Sequence, residues 1–251
     1  MSNDVSRRDF LARAAAMAVA ASQEPRVQRP PALGAITNQA PAKGTVVLFQ
    51  GDSITDAGRS RESADANAAG ALGNGYPLLV ASAVLAARPA SGFRFYNRGI
   101  SGNKVPDLQQ RWTTDTVDLH PEVLSILIGV NDFWHKLDHG YNGTVQDYEQ
   151  QYTSLLDETR KALPRVHLIV LEPFVLKTGA VDARWFPEFD QRRAAAARVA
   201  TRARATFVPL QSIFDQRART APAAYWAADG VHPTPAGHAV IAENWRRAAR
   251  L

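Results

Sequence analysis

Ser53, Asp229 and His232 are residue types from which ester chemistry can be built. A serine hydroxyl is a weak nucleophile. It attacks a carbonyl only when a general base takes its proton and a third group holds that base in the right tautomer. Ser53 stands in Gly51-Asp52-Ser53, directly after an apolar run. Asp229 and His232 are three residues apart in Asp229-Gly230-Val231-His232-Pro233. In a turn, that spacing lets the carboxylate accept a hydrogen bond from one ring nitrogen while the other faces the serine. Attack also builds negative charge on the former carbonyl oxygen, and losing one pre-placed donor costs about 10²- to 10³-fold in rate. Three candidate donors are the backbone N–H of Ser53, the backbone N–H of Gly102, where no side chain blocks close approach, and the side-chain amide of Asn131.

Other reactive-looking residues fit rival chemistries less well. Ser101, in Gly99-Ile100-Ser101-Gly102-Asn103, lacks the final glycine of the Gly-x-Ser-x-Gly elbow and is expected to shape the turn that carries Gly102. His135 and His139 have the spacing of helical metal ligands but not the glutamate of the protease pattern, and Gly140 points to a loop. They are assigned a solvated or substrate-rim role, with no metal. His238 has no acid at the matching spacing and is expected on the surface of the last helix or packed within it. Asp52 and Asp132 read as loop-orienting acceptors and not as a carboxylate pair for glycoside cleavage. The chain has no cysteine, which excludes disulfides, a thiolate nucleophile and a cysteine-held zinc.

Positioning such a set requires a scaffold, and from Thr45 onward short β-branched or aromatic runs alternate with longer amphipathic stretches. That is the pattern of a parallel sheet covered by helices. Five strands are expected, at Thr45–Phe49, Phe93–Tyr96, Val123–Ile128, His167–Leu171 and Thr206–Val208. Helices are expected at Tyr76–Ala87, Val105–Trp112, Val145–Leu163, Phe189–Arg204 and Thr234–Ala249. Thr144 with Asp147 forms a capping-box start, Thr234 caps before Pro235, and Pro164 stops the third helix. In an open sheet, ligands bind beyond the carboxyl ends of the strands. Ser53 follows the first strand, Ser101-Gly102 the second and Gly129-Val130-Asn131-Asp132 the third, so all three arrive at one edge. The loop of Asp229 and His232 can fold back to that edge.

Gly51-Asp52-Ser53-Ile54-Thr55, Asn97 to Gly102, Gly129-Val130-Asn131-Asp132 and Asp229-Gly230-Val231-His232 resemble, in order, the four blocks of the SGNH (GDSL-type) hydrolase family. The resemblance implies an α/β fold, a three-layer α/β/α sandwich with a five-stranded parallel sheet of flavodoxin-like type. It implies Ser53 as nucleophile, His232 and Asp229 completing a triad, Gly102 and Asn131 in an oxyanion hole, and no cofactor. A narrower likeness, to the SGNH acetylxylan esterases, rests on Ile54-Thr55-Asp56 with Gly58-Arg59, Ala71 to Tyr76, Gly99 to Asn103, Arg111-Trp112 and Asn131-Asp132-Phe133-Trp134. In that branch a tryptophan commonly precedes the triad aspartate. Here Ala228 stands there and Trp226 two places earlier. Trp134, Trp226 and Tyr76 are then expected to offer flat apolar surfaces to sugar rings, with ordinary packing the competing role for each.

The bulk properties bound the class of partner. The 251 residues suit one domain plus a leader, and 45% hydrophobic with 21% charged residues is the composition of a folded chain. The net charge of +5 is carried by an arginine-rich basic set, much of it at positions 192, 193, 198, 202, 204, 246, 247 and 250. These read as solvated helix faces, and no nucleic-acid module accompanies them. Ser6-Arg7-Arg8-Asp9-Phe10-Leu11, followed by an alanine-rich run, resembles a twin-arginine export signal over residues 1–23. A Pro/Ala-rich linker over 24–43 and a hydrolase domain over 44–251 complete the expected organisation, with a periplasmic or secreted location and no stable membrane insertion. The expected partner is a small or oligosaccharide ester. Two alternatives stay open: a lysophospholipase or thioesterase acting on longer acyl chains, and a catalytically silent carbohydrate-binding surface protein.

Overall fold

The computed structural model describes residues 44–251, so the readings of 1–23 as a signal and 24–43 as a linker fall outside the described residues. Five strands, β1 (Val46–Gly51), β2 (Arg94–Asn97), β3 (Val123–Leu127), β4 (His167–Leu171) and β5 (Thr206–Val208), pair in parallel in the order β2-β1-β3-β4-β5. This is the expected α/β/α architecture with its flavodoxin-like strand order. β1 runs two residues past the expected end because its polar Gln50 is satisfied inside the protein. The Gln50 amide donates to the Asp115 carbonyl at 2.9 Å and to Thr116 Oγ1 at 2.8 Å.

Alternation along the strands splits the core in two. Val47 and Phe49 of β1, Val123 and Leu127 of β3, and Ile169 and Leu171 of β4 face one side. There they meet α3 (Tyr76–Ala87) and, in the C-terminal helix α10 (Pro235–Ala249), Trp245, whose Nε1 donates to Ser125 Oγ at 2.8 Å. Leu48, Leu124, Ile126, Leu168 and Val170 face the other side, against α4 (Val105–Asp115), α6 (Val145–Ala162) and α7 (Glu188–Arg202). Burying each such leucine, isoleucine or valine contributes about 1.5–3 kcal/mol, which makes this frame a rigid base for loops. The remaining helices are short: α1 (Ser53–Asp56), α2 (Ala69–Leu72), α5 (Val130–Asp138), α8 (Leu210–Arg217) and α9 (Ala223–Trp226).

The helix ends follow the expected chemistry. Thr144 and Asp147 exchange both bonds of a capping box, and Thr234 accepts the Gly237 N–H. One expectation fails: His135 lies within a helix, α5, and not in a loop, and His139 is its C-terminal cap. Gly129, at φ +131°, precedes the first helical residue and Gly140, at φ +68°, follows the cap. The two glycines bracket a helix and do not mark a loop. Among the described residues no helix is long and apolar enough to cross a membrane.

Candidate active site

Register places the loops. Gly51 of β1 pairs with Leu127 of β3, so the two strands end level, and Ser53 opens α1 two residues later while Asn131 lies in the first turn of α5. The turn between β1 and α1 needs its glycine. Gly51 sits at φ +157°, and a Cβ there would lie 2.3 Å from the Leu127 carbonyl oxygen. Asp52 caps α1 by accepting the Ile54 N–H at 3.0 Å, which fixes Ser53 at the head of the helix. The strand order reverses between β1 and β3, where open parallel sheets place their ligand sites.

The histidine loop between α9 and α10 is braced from below. Leu176 and Ala180 donate their N–H groups to the carbonyls of Gly230 and Asp229, at 2.8 and 2.9 Å. Gly230, at φ +87°, lies so close to the carbonyls of Leu176 and Thr178 that a Cβ would stand within 2.5 Å of both. Only glycine fits at position 230, directly after the aspartate.

Across 179 residues of chain, Ser53 Oγ and His232 Nε2 stand 2.8 Å apart. His232 Nδ1 lies 2.6 Å from Asp229 Oδ2, and Asp229 Oδ1 accepts the N–H groups of His232 and Val231 at 2.7 and 2.9 Å. Partial burial works to raise the Asp229 carboxyl, but the bonds from the His232 ring and from the two N–H groups outweigh it, and the group lies below its ordinary value. An ionised carboxylate only accepts, so Nδ1 carries the proton and Nε2 is left as an acceptor toward Ser53. An imidazole held this way can take the hydroxyl proton.

The expected oxyanion donors lie on the loops or first turns that follow β1, β2 and β3, at the carboxyl-terminal side of the sheet. The N–H groups of Ser53 and Gly102 have no hydrogen-bond partner among the described residues. Gly102 adopts φ +82°. Asn131 is buried and uses one amide hydrogen on the Asn103 carbonyl at 3.1 Å, which leaves the second available. His135 flanks this side: its Cε1 lies 3.8 Å from the position a Gly102 Cβ would take. Burial, and then the charge of Lys104, hold its imidazole below the usual range.

Of the three aromatic residues expected to face a sugar, the structure brings one to the site. Trp134 lies beside the His232 ring, centroids 5.9 Å apart, with its Nε1 anchored on Asp138 at 2.7 Å. Tyr76 is corrected to a core residue. It is 0% exposed, its hydroxyl is 3.0 Å from Thr55 Oγ1, and its ring meets the edge of Phe49. Trp226 is corrected likewise. It is 8% exposed, stands edge-on to Tyr225, and its carbonyl accepts the Thr234 N–H at 2.9 Å, so it anchors the histidine loop from beneath. Tyr225, passed over in the sequence, is the solvent-facing ring of this pair at 57%.

Ser101 shapes its turn through its N–H, which Asp56 holds at 3.0 Å. Asp52 and Asp132 orient loops: Asp132 accepts the Val105 N–H at 3.2 Å, and burial pushes both carboxyls up to about 7. His238 is buried and not on the helix surface. Sequence reasoning missed the buried Asp56 and the three bonds of the Asn97 amide, to the carbonyls of Thr55 and Leu72 and from the Gly99 N–H. Their one signal was their place in the motifs, Asp56 after Ile54-Thr55 and Asn97 at the head of the block that ends in Gly102. Among the described residues no group of three or more His, Cys, Asp or Glu is gathered for a metal ion.

A doubly wound sheet carrying a serine, an imidazole and a carboxylate in contact at its switch point defines the class of the molecule. A profile of the GDSL-like lipase/acylhydrolase family matches residues 49–240, and the chain belongs to that family. It is 36% identical over 211 residues to an acetylxylan esterase of Geobacillus stearothermophilus, covering 81% of this chain and 93% of that protein. The crystal structure of an acetylxylan esterase from the same organism superposes with a TM-score of 0.76 at 34% identity, covering 84% of this chain and 96% of the other. A structure from Parabacteroides merdae, described as GDSL-like lipase, superposes with a TM-score of 0.81 at 46% identity, covering 83% and 97%.

Proposed function

We propose that this chain is a serine esterase that removes a short acyl group, acetyl, from acetylated carbohydrate such as xylo-oligosaccharide, through an acyl-enzyme intermediate. The observation that carries the proposal is the unbroken chain of contacts from Ser53 Oγ through the His232 ring to the Asp229 carboxylate. His232 Nε2 takes the Ser53 proton as Oγ attacks the ester carbonyl. The oxyanion forms against the N–H groups of Ser53 and Gly102 and the free amide hydrogen of Asn131. Collapse of the tetrahedral intermediate breaks the bond to the sugar oxygen, which leaves with the proton from His232. Water, deprotonated by the same imidazole, then releases the acid and restores Ser53. The steps consume only ester and water, so no cofactor enters.

The acetyl-carbohydrate specificity is supported by the likeness to acetylxylan esterases and by Trp134, a flat apolar ring beside His232 on which a sugar can stack. Export through the twin-arginine route is supported by Arg7-Arg8-Asp9-Phe10-Leu11 and the alanine-rich run after it. A fluorophosphonate probe tests the chemistry, since it bonds covalently to an activated serine. The wild-type protein is expected to label and Ser53→Ala is not; equal labelling of both would end the reading. Acetylated xylo-oligosaccharide compared with short- and long-chain nitrophenyl esters tests the substrate. Preference for the long chain would replace an acetyl esterase with a lipolytic enzyme.

A further inference from the structure

We propose that Asp56 is a positioning residue that aims the Gly102 N–H at the oxyanion by clamping the Ser101 turn to the helix carrying Ser53. The inference rests on the reading of Ser53 and Gly102 given above. Asp56 is the last residue of α1, four positions of which Ser53 is the first, and it is 4% exposed. Its Oδ2 accepts the Ser101 N–H at 3.0 Å and the Arg61 guanidinium at 2.9 Å, and its Oδ1 accepts the Arg59 N–H at 3.2 Å. Its own N–H is tied to the Asp52 carbonyl at 2.8 Å. The carboxylate is therefore fixed to the same rigid turn as the serine hydroxyl.

Three consecutive N–H groups of the facing loop are engaged before Gly102 is reached. Gly99 donates to Asn97 Oδ1 at 2.9 Å, Ile100 to the Gly51 carbonyl at 3.1 Å, and Ser101 to Asp56. The Asn97 amide in turn donates to the Thr55 carbonyl at 2.7 Å. A Cβ on Gly99 would lie 2.4 Å from the Asp56 nitrogen, so the loop rests directly on α1. The next N–H, that of Gly102, has no hydrogen-bond partner among the described residues. With the Ser101 nitrogen pinned and the Asn103 N–H closing the turn on the Ile100 carbonyl at 3.1 Å, the peptide between Ser101 and Gly102, and so the direction of the Gly102 N–H, is set relative to Ser53. A carboxylate suits this task because its two oxygens serve three donors and a charged acceptor holds them more tightly than an amide. Displacing a donor by about 1 Å can cost about 100-fold in rate.

The test compares Asp56→Ala, Asp56→Asn and Arg61→Ala with wild type. Arg61 is 56% exposed at its side chain, and removing it takes one partner from Oδ2 while leaving the Ser101 bond. For both Asp56 variants, kcat on a short acyl ester is expected to fall about 10- to 100-fold with KM changed less than about threefold. Inhibition by a methyl trifluoromethyl ketone, which adds Ser53 Oγ and places its own oxyanion in the same hole, is expected to weaken by the same factor. Arg61→Ala is expected to keep kcat and this inhibition within about twofold. A structural role alone would lower the melting temperature without this parallel loss. The proposal is overturned if folded Asp56→Ala keeps kcat within about twofold, if KM absorbs the whole loss, or if Arg61→Ala loses as much. Should Asp56→Ala not fold, Asp56→Asn, of the same shape but with one acceptor oxygen, carries the same criteria. A wild-type protein that Ser53→Ala cannot distinguish in ketone binding would sink the active-site reading itself. That result differs from an active enzyme indifferent to Asp56.

Discussion

Lowering the pH should loosen this protein through a single buried imidazole, that of His238 at the start of α10. Its Nδ1 accepts the Tyr76 N–H at 3.2 Å, and that donor belongs to the first turn of α3, where a helix leaves its N–H groups without internal partners. A ring nitrogen accepts only while unprotonated. Burial first, and then the charge of His232, lower its titration from 6.5 to about 4. The unfolded chain therefore takes up a proton near pH 6.5 that the folded chain resists until about pH 4. Within that window the unfolded state binds more protons. The stability from a neutral His238 is complete above the window, is lost as pH falls through it, and changes no further below.

The full span from 6.5 to about 4 corresponds to roughly 3 kcal/mol. Of this, about 2 kcal/mol should disappear between pH 8 and pH 5. His238→Asn keeps an acceptor oxygen where Nδ1 stood and cannot titrate. The ring it loses lowers stability at every pH, so that loss cancels when two pH values are compared. Urea unfolding of both proteins at pH 8 and pH 5 should show the advantage of wild type over His238→Asn shrinking by about 2 kcal/mol at the lower pH. An advantage equal at both values would mean that His238 does not hold the Tyr76 N–H in the manner described.

Asp132→Asn should behave in the opposite sense. Burial raises the Asp132 carboxyl to about 7, so the folded chain holds a proton between about pH 4 and 7 that the unfolded chain has lost, and stability falls as pH rises through that window. The neutral amide escapes this, and the variant should gain about 3 kcal/mol on wild type between pH 5 and pH 8 in the same unfolding assay. Asn131→Ala should lower kcat about 100-fold with little change in KM, read on a short nitrophenyl ester; a pure KM effect would remove Asn131 from the oxyanion hole. Arg192, 0% exposed at its side chain, donates to the Gly143 carbonyl at 2.6 Å and to Glu188 at 2.9 Å between the rings of Phe133 and Tyr148. Arg192→Met should cost about 2 kcal/mol in chemical denaturation, since the Gly143 and Thr144 carbonyls lose a buried donor while the half-buried Glu188 keeps its bonds to Lys136; a loss below about 1 kcal/mol would show that the packing compensates.

The parts of the fold that were legible are those where one local rule operates without competition. Strands His167–Leu171 and Thr206–Val208 and the helix Tyr76–Ala87 have the expected bounds because apolar runs of strand or helix length end there in turn residues. Helix α5 was hidden because its flanking glycines suggest a loop, while its apolar positions, Val130 and Phe133, look like the tail of the preceding strand. The burial of Tyr76 and Trp226 was not legible, since an aromatic residue near a motif reads the same whether its ring turns inward or outward. Ser53, His232 and Asp229 were visible because each sits in a short motif at a predicted strand end or turn, and chain order alone brings those ends to one edge. Asp56 was not. Its partner Ser101 lies 45 residues away, and they meet only because β1 and β2 pair in the register that sets Phe49 opposite Asn97. A slip of that register would carry the loop after Asn97 past α1 and part the carboxylate from the Ser101 N–H. The side chains that perform a reaction can therefore stand out in a sequence as motifs, whereas those that hold a backbone donor in place depend on strand register and become visible only in three dimensions.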